Sequence, residues 1–524
     1  MRFLTLHLIL TVLIINSVSS ADIFAIFPIA SVSHNAVYGA LTDELVARGH
    51  RLTIITTTPK YKKTNPNVVE IDFSFLYEVL GKLIDFNKWK EAQLNEIAML
   101  GMWTNILEHY YEQQLKHPTI QEMIKNKDKF KFDAIIVEFM NQVPWQAFAS
   151  IFNAPVIGIS SLDMMSEYHR LHGNVFNPIL HPEVIFPFYE NLTFLQRVRI
   201  VRYHAYYELY YKHVYNRIFD KLIKRHFGEI RFPVDQLNAI GEVLLVNVHP
   251  ALGHVRPVLP TTVQLGFMHI KEPKEIIEEN IKQFLDSSTR PIIYMSLGSM
   301  VKSSQISEAT LKVFKEAFGE LPYDVMWKYE NEEMEGKPDN VFAYPWFPQA
   351  DLLAHERVKL FITQGGQQSM EESIDRGVPL IVIPFAVDQN ANALRIQKLG
   401  IGVSLDISTI TKEKLKTAIE EVLTGDYESN VKKLRDVVND TPMKPVDKAA
   451  WWVEYVVRHG GTLHLDYAGR HVPFWKYMML DIIGIVVLGF HIALKILKLA
   501  LGWLKSRKAQ KLKEKKKLKK GKNE

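Results

Sequence analysis

The sequence predicts an α/β protein of two parallel-sheet halves facing each other across a cleft, with one membrane helix near its C-terminus. Three observations predict it. A strand–helix–strand unit opens the chain just after an apolar leader, and a second such alternation begins beyond a proline-punctuated stretch. An apolar run close to the C-terminus is then followed by a lysine-rich tail.

The first unit reads DIFAIFPIA over residues 22–30, rich in β-formers. Residues 35–48 follow with Val37, Ala40, Leu41 and Leu45 at the three- and four-residue spacing of one helical face. Gly49 ends that helix, and RLTIITT (51–57) is the next strand. Further strands are predicted at 132–137 and 154–159, whereas 77–127 is helical, aromatic and hard to place. Around His249 the texture changes: Pro250, Pro257, Pro260 and Pro273 mark an interdomain linker. Beyond it, strands are predicted at 291–297, 324–329, 359–363 and 379–384. The expected division is a leader at 1–20, halves at 21–265 and 266–460, a membrane helix at 474–502 and a basic tail at 503–524.

The chain ends bear on compartment. Arg2, a short apolar run and the small residues Ser17, Ser19, Ser20 and Ala21 describe a secretory signal; an uncleaved anchor is the alternative, although the run is short for a span. Residues 474–497 suit a transmembrane helix of about 20 residues despite Asp481 and His491, with Trp475, Tyr477 and Trp503 as interfacial flanks. Residues 503–524 hold eleven Lys/Arg against two Glu, while the whole chain is only +5. The excess of positive charge therefore belongs to the tail. It predicts a cytosolic flank with the body in the lumen, not nucleic-acid binding. The ending Lys520-Gly521-Lys522-Asn523-Glu524 has the form of a dilysine retrieval signal, which points to the endoplasmic reticulum. The chain has no cysteine, which excludes disulfides, thiolate metal sites and a cysteine nucleophile. Asn191-Leu192-Thr193 and Asn439-Asp440-Thr441 are candidate glycosylation sites, the second weakened by Pro442.

The chemistry concentrates in residues 346–389, WFPQADLLAHERVKLFITQGGQQSMEESIDRGVPLIVIPFAVDQ. Gln364-Gly365-Gly366 sits where a strand gives way to a helix. Glycines there let backbone N–H groups approach an anion at a positive helix end, and a tight turn is the plain alternative. The ordered set W-x-P-Q, F-I-T-x-G-G, a following acid and P-x(3)-D-Q resembles the donor-binding signature of the UDP-glycosyltransferase superfamily. The leader, the SLGS turn at 296–299 and the C-terminal span resemble its membrane-bound branch. The resemblance covers nearly the whole chain and implies the GT-B fold, two Rossmann-like domains facing across a cleft.

The same resemblance implies roles. Trp346 would stack on uracil and Gln349 would bond the uridine; core packing is the alternative for a lone tryptophan. Glu372 would accept both ribose hydroxyls, and Asp388 and Gln389 would hold sugar hydroxyls, against the alternatives of a solvated helix face and a surface turn. Ser299, Gly366 and Ser369 would line the diphosphate. The superfamily commonly has His at the position of Gln364 and Asn at that of Gln368. Glutamine donates a hydrogen bond but brings no positive charge, so phosphate recognition shifts toward backbone dipoles. The T-Q-G-G-x-Q-S wording resembles arthropod members.

In the first half, His34 stands in Ser33-His34-Asn35 at the C-terminal end of the first strand, where open α/β sheets place ligands. An acceptor hydroxyl needs its proton removed to attack an anomeric carbon, and the resemblance makes His34 that base. A carboxylate would orient the ring. The family's usual Asp falls on Glu138 here, with Asp133, at the strand's other end, the weaker substitute. The implied reaction is an inverting displacement without metal or other cofactor, the UDP-sugar being a co-substrate. No D-x-D stands in the second half to bind a divalent ion.

The expected function is transfer of a hexose, with glucose favoured over glucuronic acid, to a small lipophilic alcohol or phenol. A non-catalytic lipophile-binding membrane protein is the competing class, and Gln364 and Glu138 are the departures that keep it open. The expected partners are the UDP-sugar, the acceptor, the bilayer and a possible second copy through the membrane helix.

Overall fold

The computed structural model describes residues 20–61, 65–84, 95–188, 190–253 and 255–520. The leader and the final four residues, and with them the predicted signal and retrieval motifs, lie outside the described residues. The chain divides into two units, one up to Leu465 and one from Asp466 to Glu524.

The first unit holds two sheets whose strands all pair in parallel. In the first sheet the strands β1 (Asp22–Phe27), β2 (Arg51–Thr56), β3 (Val68–Asp72), β4 (Ala134–Glu138), β5 (Val156–Ser160), β6 (Gly241–Val246) and β7 (Thr262–Gln264) lie in the order β3-β2-β1-β4-β5-β6-β7. In the second, β8 (Ile292–Ser296), β9 (Asp324–Lys328), β10 (Val341–Tyr344), β11 (Val358–Thr363), β12 (Leu380–Val382) and β13 (Gly402–Ser404) lie in the order β10-β9-β8-β11-β12-β13. In each sheet the first strand of the half is central and the order reverses beside it, between β1 and β4 and between β8 and β11. Those are the switch points where α/β sheets leave room for ligands.

The helices that matter below are α1 (Val32–Ala47), α2 (Phe194–Tyr210), α3 (Asn216–Phe227), α4 (Gln349–Leu353), α5 (Gln367–Arg376), α6 (Gln389–Lys398) and α7 (Pro445–His459). Local chemistry starts and stops them. Ser31 caps α1 by accepting from the His34 N–H, and Gly377 ends α5 in the left-handed region that favours glycine. Each sheet is covered on both faces, which is why β4, β5 and β8 are buried along their full length and read as unbroken apolar runs.

The stretch 77–127, expected to be helical, holds helices at Leu76–Leu83, Glu96–Leu115 and Pro118–Lys125 among the described residues. Two sequence expectations change. The proline-rich linker begins later than expected, because β7 still belongs to the first sheet. Helix α7, assigned from sequence to the second half, packs in the first: Ala449, Ala450, Val453 and Val456 join Val37, Leu41 and Leu45 of α1 in one buried cluster. Its apolar face is complementary to α1, and no local sequence signal records which half it returns to.

The second unit is described by itself. It contains a short helix at Phe474–Tyr477 and then α8 (Leu480–Lys520), a 41-residue helix. Its first part is long and apolar enough to cross a membrane. The helix begins at Leu480, after the break that follows Tyr477, and the Lys-rich residues up to 520 continue it. Arg507 stacks on Trp503 at 4.2 Å where the apolar stretch gives way to the basic one.

Candidate active site

His34 sits on the third residue of α1, and the first turn of that helix is tied down by Asn35. The Asn35 amide donates to the Ser31 and Ile29 carbonyls and to Thr57 Oγ1, and its oxygen accepts from Thr56. The ring is thereby aimed from β1 toward β4. His34 Nδ1 and Glu138 Oε1 are 2.8 Å apart, with the histidine side chain 14% exposed and the carboxylate completely buried at the end of β4. Asp133 is at the other end of that strand, where it accepts from the Asp22 N–H, so it is not beside His34. Sequence reasoning missed Tyr38, one helical turn past His34. Its hydroxyl donates to the same Glu138 oxygen at 2.8 Å and accepts from the Ser161 N–H at 3.1 Å. The i, i+4 spacing of His34 and Tyr38 was the available signal. Glu138 Oε2 has no hydrogen-bond partner among the described residues.

The second half presents a coherent surface. Trp346 is 53% exposed, which excludes the core-packing alternative, and Lys328 Nζ lies 5.5 Å from its ring centre. Gln349, at the start of α4, accepts from the Tyr294 hydroxyl and donates to Ser369 Oγ at 2.9 Å and Glu372 Oε2 at 2.7 Å. Its amide is thus spent on aiming Glu372. Burial pushes the Glu372 carboxyl up to about 7, against the bond from Gln349 and the nearby Arg376.

The predicted phosphate turn follows β11. Gly365 adopts φ +85°, and a Cβ there would run into Val382. Gly366 caps α5 without any side-chain hydrogen bond, which leaves first-turn N–H groups for an anion. The Gln364 side chain lies directly against Gly298 of the SLGS turn, which has φ +81°, and its Oε1 has no hydrogen-bond partner among the described residues. Half-buried Ser299 follows in the same turn. Gln368 is placed differently from expectation. Its amide crosses to the first half and donates to the Ser161 carbonyl at 2.6 Å, so it ties the two halves together.

Asp388 and Gln389 form the loop at the start of α6. Gln389 Oε1 accepts from the N–H groups of Phe385 and Ala386, shaping a turn in which Val387 has φ +55°. Asp388 accepts from Asn392, whose amide also donates to the Gly365 carbonyl, joining the sugar loop to the phosphate turn. Burial raises the Asp388 carboxyl, opposed by the Asn392 bond and then by His34 acting across the cleft.

Beneath it lies a buried polar seam that the sequence did not reveal. Gln367 donates to the Asn247 carbonyl and to Glu371, and Asn247 donates to Glu371 and to the Ser161 carbonyl. Burial pushes Glu371 up to about 8 and His269, which lies beside both Glu371 and Glu372, down to about 4. Among the described residues no group of three or more His, Cys, Asp or Glu could hold a metal ion.

Two facing parallel α/β halves, with the His34–Glu138 pair on one and the Gly365–Gly366 turn on the other, make up a GT-B fold. The crystal structure of the kitacinnamycin glycosyltransferase superposes with a TM-score of 0.55 at 18% identity, over 84% of this chain and 100% of that one. The chain belongs to the UDP-glucoronosyl and UDP-glucosyl transferase family, whose model matches residues 25–517. UDP-glucosyltransferase 2 of Dactylopius coccus is 32% identical over 94% of this chain and 94% of its own length. An ecdysteroid UDP-glucosyltransferase of Spodoptera littoralis nuclear polyhedrosis virus is 30% identical, over 91% and 96%. The chain is therefore a UDP-glycosyltransferase, and the non-catalytic reading is set aside.

Proposed function

We propose that the enzyme transfers glucose from UDP-glucose to a hydroxyl of a small lipophilic acceptor, with inversion and without a metal ion. The 2.8 Å contact between His34 and Glu138 carries this reading. With Nδ1 engaged by the carboxylate, Nε2 is the ring atom that takes the acceptor proton. The acceptor oxygen bonds to the anomeric carbon as the bond from that carbon to the UDP oxygen breaks, and UDP leaves with the electron pair. Glu138 holds the ring in place and stabilises the imidazolium that forms. On the donor side, Trp346 stacks on uracil and Glu372, aimed by Gln349, accepts from the ribose hydroxyls. First-turn N–H groups of α5, with Gln364, Ser299, Gly366 and Ser369, receive the diphosphate. Asp388 and Gln389 hold the sugar. Gln368 acts as a cross-cleft tie.

Glucose is favoured because both the relatives described are named as glucosyltransferases. The name of the viral relative extends the acceptor class to hydroxylated steroids. The apolar part of α8 anchors the chain in the endoplasmic reticulum membrane, with the basic segment cytosolic and the two halves lumenal.

The test is glycoside formation by membranes carrying the wild type or His34→Ala, offered phenols and a polyhydroxylated steroid with UDP-glucose or UDP-glucuronic acid. Glucoside from the wild type, falling roughly 10²–10⁴-fold in the variant, is the expected result. Glucuronide as the main product overturns the donor assignment, and a variant within about tenfold of wild type overturns the base.

A further inference from the structure

Helix α2 is apolar on two opposite sides. Its inward side carries Ile200, Tyr203 and Tyr207, which bury against Phe186 in a small cluster of their own. Its outward side repeats Phe194, Val198, Val201, Ala205 and Leu209 at spacings of four, three, four and four, which align on one helical face. All five are exposed, Phe194 at 69% and Leu209 at 61%, and neighbouring Leu195 reaches 76%. The chain then makes one π-helical turn at Tyr211–Tyr215 before α3, and exposed Val214 continues the series five residues beyond Leu209. Phe176, packed edge-on to His204 of α2, and Val175 widen the patch. A soluble surface helix turns charge outward; this one turns apolar residues outward for its whole length.

The charges say what covers it. Residues 194–225 hold eight Lys/Arg and only two acids, Glu208 and Asp220. Exposed Arg197, Arg202, Lys212, Arg217 and Lys221 lie on the same stretch. An apolar stripe bordered by cations matches the bilayer interface, where acyl chains receive the apolar side chains and headgroup phosphates receive the cations. A second copy would set one basic stretch against another. The chain also carries its own candidate span, so a bilayer is a surface that it meets.

We propose that α2 and the π-turn after it form a monotopic membrane-docking surface, lying in the plane of the bilayer with Phe194, Val198, Val201 and Leu209 in the acyl boundary. This contact is separate from α8 and independent of the transfer reaction. Burial to about 5–10 Å below the headgroups is the depth expected for such a helix.

The chain has no cysteine, so one introduced cysteine gives one label. The full chain is reconstituted in phosphatidylcholine–phosphatidylserine vesicles with a nitroxide at V198C, V201C or L209C, and at V437C on a distant exposed helix position. Collision with dissolved oxygen is compared with collision with a water-soluble nickel chelate. The expected result is an oxygen-to-nickel ratio severalfold higher at the three α2 positions than at residue 437. Equal ratios at all four positions overturn the proposal. Spin–spin broadening at Val201 that disappears on dilution with unlabelled chain makes the occupant a second copy and also overturns it. So does a glycan found on Asn191, three residues before Phe194, because it holds that end of the stripe in water.

Discussion

The Tyr38 hydroxyl donates to Glu138 at 2.8 Å, on the same carboxylate oxygen that faces His34. One buried oxygen thus receives both the ring and a phenol fixed a helical turn away, and the phenol is itself held by the Ser161 N–H. In the proposed mechanism, Tyr38 therefore orients the carboxylate that orients the base.

Tyr38→Phe removes one hydrogen bond to a buried charged group, worth about 1.5–3 kcal/mol. It is expected to lower kcat by roughly tenfold or more, with KM for the UDP-sugar nearly unchanged because the donor half is untouched. Steady-state kinetics on both substrates check it. A rise in donor KM with normal kcat would place Tyr38 outside the reacting half.

In the proposed donor site the Glu372 carboxyl, raised to about 7 by burial, accepts from both ribose hydroxyls with both oxygens only as the carboxylate, because the protonated form turns one oxygen into a donor. Below that pH the free enzyme binds a proton that UDP must displace. UDP affinity is expected to fall by up to about tenfold per pH unit below about 7. Glu372→Gln is expected to bind weakly at every pH and to lose the slope. Calorimetric titration in two buffers of different ionisation enthalpy reads the released proton directly; no proton release near pH 6 contradicts the assignment.

Gln368 is one of the ties between the halves, through the Ser161 carbonyl at 2.6 Å, beside the bonds of Gln367 and Glu371 to Asn247. Gln368→Ala removes a buried bond worth about 0.5–1.5 kcal/mol that exists only while the cleft is closed in this way. KM for donor and acceptor should rise together by roughly threefold to tenfold, and amide exchange in the Ser161 loop should quicken. Unchanged exchange with a raised donor KM alone would return Gln368 to a phosphate-binding role.

Glu371 gives a stability prediction with a definite sign. Its ordinary carboxyl value of 4.5 is raised to about 8 in the folded chain, chiefly by burial. The folded state therefore holds a proton that the unfolded state has lost, and its contribution is full below about 4.5 and disappears as pH rises through about 8. Thermal unfolding of wild type should weaken across that window relative to Glu371→Gln, whose melting temperature should vary less with pH. Parallel pH dependence in the two chains would show that Glu371 is ionised throughout.

Much of the fold was legible because strand and helix periods are local properties. Val37, Ala40, Leu41 and Leu45 announce α1, and β4, β5 and β8 read as apolar runs because both faces are covered. The short edge strand β13 and the helices between residues 76 and 125 were harder, since brief or aromatic-rich segments lack a clean period. The apolar span in α8 was plain from composition.

The sequence by itself determined the two α/β halves, the glycine turn and the membrane-competent helix, because each depends on residues close together in the chain. Only the tertiary structure decided which distant side chains meet. It set Tyr38 on Glu138, sent Gln368 across to Ser161 and buried Glu371 among Gln367, Asn247 and His269. It returned α7 to the first sheet and left the outward stripe of α2 uncovered. These outcomes follow from how the elements pack, since hydrogen bonds and burial between residues a hundred or more positions apart leave no periodic trace in the sequence.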